Sequence, residues 1–194
     1  MAEPRNVNPL EVEALVRDGA VRVLDVRTPG EYQYLGHIPG ALLLPLDLIA
    51  CAPAVLPTDD RALVVVCEHV VRSAHAARVL AAAGFEAVLN MTGGMSCWGG
   101  PRERTSPGPD AFVGPSPWLL SAGDLLPSSG DALEVACGRG RHGLLLASVG
   151  WRVQAVDRDV EAIANLAAVA ARLGLSLQAE SVDLETGDVD PGKR

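Results

Sequence analysis

Leu63-Val64-Val65-Val66-Cys67-Glu68-His69-Val70-Val71-Arg72-Ser73 decides how this chain is read. The four apolar residues fit a strand buried on both faces, and a helical pattern resumes at Ser73. A strand that ends on a cysteine, turns tightly and enters a helix aims that sulfur at backbone N–H groups and at the positive end of the helix dipole. Such a setting favours the thiolate, the nucleophilic form of cysteine. Arg72 inside the loop adds a fixed positive charge suited to an anionic substrate. Cys67 therefore reads as a candidate nucleophile; a buried structural thiol is the alternative that spacing alone leaves open.

Outward from this loop, Asn8-Pro9-Leu10-Glu11 opens a helix with an N-cap, a proline at the first helical position and an acidic first turn. Apolar runs predict strands near 21–26, 41–44, 63–66 and 87–89, with helical stretches at 29–34, 46–50 and 73–83. Alternating strands and helices imply an α/β fold whose parallel sheet is covered on both faces, with ligands at the carboxyl ends of the strands, where Cys67 falls. Prolines 101, 107, 109, 115 and 117 then mark 101–117 as a semi-rigid linker. A second pattern follows: a helix over 118–126, a strand over 132–136, a glycine-bearing turn, a helix over 142–149, a strand over 152–156, a helix over 159–173 and a strand over 176–182. This is a partial Rossmann-like βαβαβ segment. Gly138 and Gly140 let the backbone approach a ligand at a helix N-terminus, and Asp157 at the next strand end is placed to accept ribose hydroxyls. A plain strand–helix turn is the other reading of so short a glycine signature.

A net charge of −8 and the absence of a basic stripe argue against nucleic acid. Cys51, Cys67, Cys97 and Cys137 form no C-x-x-C pair and no zinc-spaced cluster, so no metal is expected and the thiols suit a reducing, cytoplasmic setting. The first residues carry no apolar signal region, and Pro45, Asp47 and Pro53 break the longest apolar stretch, so no membrane span is expected.

Four segments in order carry a resemblance. They are Leu24-Asp25-Val26-Arg27 with Glu31-Tyr32, Gly36-His37-Ile38-Pro39-Gly40-Ala41, Cys67-x-x-x-x-Arg72-Ser73, and Gly93-Gly94-Met95-Ser96-Cys97-Trp98. Residues 1–100 resemble a rhodanese-type sulfurtransferase domain. The resemblance implies that Cys67 takes the outer sulfur of a donor such as thiosulfate, holds it as a persulfide and passes it to cyanide or a thiol, with no cofactor. Backbone N–H groups of Glu68, His69, Val70, Val71 and Ser73 would cradle the terminal sulfur, and Arg72 would support donor binding and loop shape. Asp25 and Arg27 would buttress the loop, His37 would be a packed side chain, and Glu68 and His69 would rim its mouth. The family loop usually carries glycine where Val70 stands. If that position needs a positive φ, valine costs about 1–2 kcal/mol there. Val70 thus keeps open a catalytically silent partner-binding module and predicts that Val70→Gly raises turnover.

Residues 118–194 resemble the start of class I S-adenosylmethionine-dependent methyltransferases, nearest the tellurite-resistance-like group, through Ala136-Cys137-Gly138-Arg139-Gly140-Arg141-His142. The resemblance places Gly138 and Gly140 under the methionine part of the cofactor, Asp157 on the ribose and Asp183 near the adenine; Arg141 and His142 match without a derivable role. The family has about seven strands and this segment supplies three. The expectations are weak S-adenosylmethionine binding without methyl transfer, an unpaired sheet edge that invites self-association, and a truncated reading frame. A third reading is a methyltransferase whose complete form uses the first half for sulfur or metalloid handling.

Overall fold

The computed structural model describes residues 3–57, 59, 61–108 and 111–185. The chain divides into two compact units, Met1–Ala52 with Leu56–Gly114, and Pro53–Val55 with Pro115–Arg194.

The first unit is organised around β4 (Ala62–Val66), whose Val64, Val65 and Val66 are 0% exposed. It lies third in a five-stranded sheet ordered β1-β5-β4-β2-β3, with β1 (Arg5–Val7), β2 (Val21–Asp25), β3 (Leu42–Leu43) and β5 (Val88–Met91). Every pairing is parallel, with Asp25 opposite Val66 in the β2–β4 register. That register brings Asp25 to the strand end that carries Cys67. The unit's helices are α1 (Pro9–Arg17) and α3 (Val71–Ala83); between them in the chain comes the short α2 (Ala52–Val55), which from Pro53 on belongs to the second unit. Asn8 caps α1 by accepting the Glu11 N–H at 2.9 Å. Gly84 ends α3 in the left-handed conformation that glycine adopts without a Cβ penalty. Val12, Val23, Val64, Leu43, Met91 and Met95 belong to the main buried cluster.

Three local features differ from the sequence expectation. Arg5–Val7 pairs with Leu89–Met91 as an edge strand, too short to show a period-2 pattern. The expected helix at 29–34 is a π-helical turn over Glu31–Leu35. Much of the stretch expected as a linker lies within the first unit: Glu103 bridges His37 and Phe112 bridges Leu43. Flanking prolines lack the N–H that a regular ladder needs, which leaves isolated bridges.

The second unit begins with α4 (Pro117–Ala122) and a 3₁₀ turn over Gly123–Leu125, where one helix was expected. Then come β6 (Asp131–Val135), α5 (Arg141–Ser148), β7 (Arg152–Asp157), α6 (Val160–Leu173) and β8 (Leu177–Ser181). The described residues form a three-stranded parallel sheet ordered β6-β7-β8. Leu144, Val153, Ala155, Ile163, Leu166 and Leu177 form its core, whereas Leu133 and Val135 on the outer strand remain 63% and 53% exposed. No helix among the described residues is long and apolar enough to cross a membrane.

Candidate active site

Cys67 follows β4 directly and is 1% exposed. Its Sγ lies 3.3 Å from Ser73 Oγ, and the Ser73 hydroxyl donates to Val70 O at 3.1 Å. The neutral thiol donates to Ser73 Oγ; the hydroxyl has one proton and can turn it toward sulfur when the sulfur is ionised. Ala74 is the first α3 residue whose N–H bonds backward, to Val70 O at 2.9 Å. The N–H groups of Val71, Arg72 and Ser73 have no backbone acceptor among the described residues, as expected of a first helical turn. Val70 caps α3 with φ −170° and ψ −25°, an extended φ open to any residue. The left-handed strain expected of valine here is therefore absent, because this loop turns without a positive φ; Ala136 alone among described non-glycine residues has one.

Behind the loop is a buried ionic chain. Arg27 and Asp25 are both 0% exposed. Arg27 Nε and Nη2 donate to Asp25 at 2.7–3.1 Å, Nη2 also to Gly36 O at 2.8 Å, and Nη1 to Glu68 Oε2 at 2.8 Å. Burial opposes the charge on Arg27, and the bonds to Asp25 and Glu68 more than offset this, raising its pKa. Glu68, expected as a solvated rim, is thus tethered from beneath.

Arg72 presents both terminal nitrogens to Glu31, Nη1 to Oε2 at 2.8 Å and Nη2 to Oε1 at 2.5 Å. Glu31 also closes a capping box with Thr28: it accepts the Thr28 N–H at 3.0 Å while Thr28 Oγ1 accepts the Glu31 N–H at 3.2 Å. The Arg72 bond first, then the Thr28 bonds, hold the Glu31 carboxyl at about 2. A carboxyl depressed in the folded state stabilises it above the unfolded value, and loses that contribution as pH falls through the folded value. The stability gap between wild type and Glu31→Gln is therefore expected to be constant from neutral pH to the ordinary glutamate value of 4.5, and to close between there and about 2. Urea unfolding across this range reads it, and a gap that persists at pH 2 would refute the pairing. The sequence signal for this residue is Thr28-x-x-Glu31 at the start of the expected helix, whereas its pairing with Arg72 across 41 residues has no local signal.

The turn after β5 braces the loop from its other side. Met95 N–H donates to Cys67 O at 2.7 Å and Ser96 N–H to Glu68 O at 2.9 Å, while Ser96 Oγ lies 3.3 Å from the ring of exposed His69. Gly94 has φ +64°, and a Cβ there would lie 2.6 Å from Cys67 O. Gly94→Ala is expected to cost at least about 1–2 kcal/mol from backbone handedness alone and to push the loop outward. A lowered urea midpoint with slower sulfur loading of Cys67 checks it; a variant that loads at the wild-type rate would show the brace to be dispensable. His37 is 2% exposed and stacks on Tyr32 at 3.5 Å between ring centroids. Cys51 is buried and Cys97 exposed. No group of His, Cys, Asp and Glu among the described residues is arranged to hold a metal ion.

In the second unit, Ala136, Gly138 and Gly140 all take positive φ at the turn from β6 to α5. Asp157 Oδ2 accepts the Gly138 N–H at 2.7 Å and Oδ1 the Asp159 N–H at 3.0 Å, which together hold its pKa below the ordinary value. No protein atom lies within 4 Å of where a Gly138 Cβ would stand, so the turn's backbone is open on that side. A Cβ on Gly140, by contrast, would strike Leu166, so that glycine serves packing. Asp183 caps its own turn by accepting the Glu185 N–H at 3.0 Å. Glu134, raised by burial, accepts the Gly143 N–H at 2.8 Å and faces His142 Nδ1 at 3.4 Å, while His142 Nε2 accepts the Ser116 N–H at 3.1 Å. His142 thus gains a structural role that the sequence did not supply: its Nδ1–H tautomer ties the start of α4 to β6. The Cys137 thiol is pushed up to about 11 by burial, with Glu134 and Asp157 adding to this.

A profile for the Rhodanese-like domain matches residues 8–100, and one for Tellurite resistance protein TehB matches residues 119–192. A sulfurtransferase of Allochromatium vinosum is 38% identical over 96 residues, spanning 47% of this chain and 88% of that protein. Thiosulfate sulfurtransferase GlpE of Pseudomonas fluorescens is 37% identical over 99 residues, spanning 50% of this chain and 87% of that protein. A solved Rhodanese-like domain protein from Staphylococcus aureus is 33% identical with a TM-score of 0.47, over 53% of this chain and 99% of that one. With its cysteine loop closing a parallel strand and its match to 87–88% of the length of two sulfurtransferases at 37–38% identity, the chain belongs to the rhodanese-like sulfurtransferase family.

Proposed function

We propose that the first unit is a single-cysteine sulfurtransferase in which Cys67 carries sulfane sulfur as a persulfide. With thiosulfate as donor, the Cys67 thiolate attacks the outer sulfur, the sulfur–sulfur bond of thiosulfate breaks, and sulfite leaves with the bonding electron pair. A thiol or cyanide then removes the sulfur and returns the thiolate. The observation that carries this reading is a nearly buried sulfur at the foot of a helix whose first N–H groups are unclaimed, with Ser73 Oγ 3.3 Å away. Those N–H groups and the Ser73 hydroxyl would hold the negative terminal sulfur, as donors do in an oxyanion hole. Glu68, His69, Val70 and Val71 form the loop around it, and Arg72 keeps its shape through Glu31. Intact-mass spectrometry after thiosulfate treatment tests the proposal: one sulfur atom added to Cys67 supports it, and an unmodified protein refutes it.

The φ of Val70, −170°, favours an active loop over a silent module, since valine adopts it without left-handed strain. Val70→Gly is now expected to leave loading unchanged or slower, since glycine adds only unfolded-state freedom at a position that needs no positive φ. A clear rise in turnover would show that the loop must pass through a left-handed state.

For the second unit, we propose weak S-adenosylmethionine binding without methyl transfer by the described three-stranded sheet. Gly138, open toward the outside of its turn, would leave room for the methionine part, and Asp157, kept ionised by two N–H groups, would accept ribose hydroxyls. When bound, the cofactor supplies an electrophilic methyl group. Asp183 bonds within its own turn and would approach the adenine only beyond it. A cytoplasmic setting and self-association through β6 complete the proposal.

A further inference from the structure

The segment just past Gly100 touches both supports of the Cys67 loop. Arg102 lies beyond residues 8–100 that the Rhodanese-like profile matches, in the stretch expected as a linker but folded into the first unit. Its neighbours are pinned. Pro101 O accepts the Trp98 Nε1–H at 3.0 Å, and Glu103 exchanges two backbone hydrogen bonds with His37, each 2.9 Å. Gly36 lets the segment pass closely: a Cβ there would stand 3.3 Å from Arg102 Cβ and 3.2 Å from Glu103 O. The half-buried Arg102 then spans two elements. Nη1 donates to Leu35 O at 3.2 Å, at the end of the π-turn whose Glu31 holds Arg72. Nη2 donates to Met95 O and, at 3.1 Å, to Trp98 O. These carbonyls belong to the turn after β5, whose Met95 and Ser96 N–H groups hold the carbonyls of Cys67 and Glu68.

The acceptors of Arg102 among the described residues are all main-chain carbonyls, so the side chain measures where two backbones stand rather than pairing a charge. A guanidinium is a rigid planar fork, and its two ends fix the spacing of what they touch. We infer that Arg102 is a positioning residue for sulfur transfer at Cys67. It locks the π-turn and the turn after β5 at one spacing, and so keeps the first N–H groups of α3 aimed at the sulfur. This rests on the sulfurtransferase reading above. The hydrogen bonds of Arg102 go to the two supports, and it acts through them. A displacement of about 1 Å among groups that receive developing charge costs on the order of a hundredfold in rate, so a clamp outside the loop can govern the chemistry within it.

The test compares Arg102→Met and Arg102→Lys with wild type, each as the full chain. Methionine keeps apolar length and loses every donor. Lysine keeps the charge but brings a single nitrogen, which cannot face Leu35 and the turn after β5 as a fork does. Sulfur loading of Cys67 from thiosulfate is followed by quenched intact-mass spectrometry at several concentrations. Both variants are expected to load about ten- to a hundredfold slower at saturation, with the half-saturating concentration within about threefold of wild type. Peptide-resolved hydrogen exchange is expected to quicken at least about tenfold over residues 67–73 and 95–98 while α1 and β2 stay unchanged. Wild-type loading in folded Arg102→Lys shows that charge alone suffices and overturns the inference. Exchange over 67–73 that is unchanged, or raised only as much as the rest of the chain, overturns it as well. Should Arg102→Met fail to fold, Arg102→Lys decides alone. A wild type that takes up no sulfur removes the sulfurtransferase reading; faster exchange over 67–73 in the variants then still supports the clamp, and unchanged exchange refutes it.

Discussion

Cys67→Ser is expected to take up no sulfur from any sulfane donor and to lose turnover by on the order of a thousandfold or more, as when a covalent nucleophile is removed. The change replaces one small buried group by another, so the fold should survive; the loop is held by Met95 and Ser96 N–H bonds to the carbonyls of Cys67 and Glu68, which the side chain does not touch. The control lies within the chain. Cys97 is exposed, Cys51 and Cys137 are buried, and the Cys137 thiol is pushed up to about 11. If accessibility alone decided reactivity, Cys97 would collect the sulfur. If the loop decides it, the added sulfur maps to the peptide with Cys67, 1% exposed though it is, and vanishes in Cys67→Ser. Sulfur on Cys97 in wild type, or full turnover in Cys67→Ser, would end the persulfide reading.

What the sequence exposed and what it hid follow from the range of the interactions. β4 was legible because four apolar residues in a row have few other places to go in a parallel sheet. Cys67, Arg72 and Ser73 were legible because strand end, loop and helix start are adjacent in the chain. The support for that loop was not. Arg72 meets Glu31 and Arg27 meets Glu68 across 41 residues each, and the braces from Met95 and Ser96 come from the turn after another strand. Such pairings depend on register, which a one-dimensional pattern carries only weakly. Val70 shows another limit: its side chain raises the question of a positive φ, and the answer is a backbone angle, −170°, that no side-chain pattern reveals. In the second unit the glycine turn and Asp157 were read from local spacing and sit 2.7 Å apart, whereas the partner of His142 lay in β6 and in the cap of α4, beyond any local signal.

Arg27→Ala is expected to be the most destabilising single change in the first unit, by about 3–5 kcal/mol, because it leaves the Asp25 carboxylate, 0% exposed, without its counter-ion. One bond to Asp25 remains, from the Arg27 backbone N–H at 3.0 Å, and it does not neutralise the charge. Against a total stability of roughly 5–15 kcal/mol this is a large fraction. The same change releases Glu68, so activity should fall as well, and the two losses need separating. The double variant Asp25→Leu with Arg27→Met removes both buried charges at once and is expected to recover most of the stability, as apolar replacements of buried ion pairs often do. It does not restore the 2.8 Å tether on Glu68. Sulfur loading of Cys67 should therefore stay low in a protein whose urea midpoint has returned close to that of wild type. If Arg27→Ala unfolds within about 1 kcal/mol of wild type, the buried pair is not what holds this corner together. If the double variant recovers loading along with stability, the ionic chain is a folding device alone, and the position of Glu68 has no part in the chemistry at Cys67.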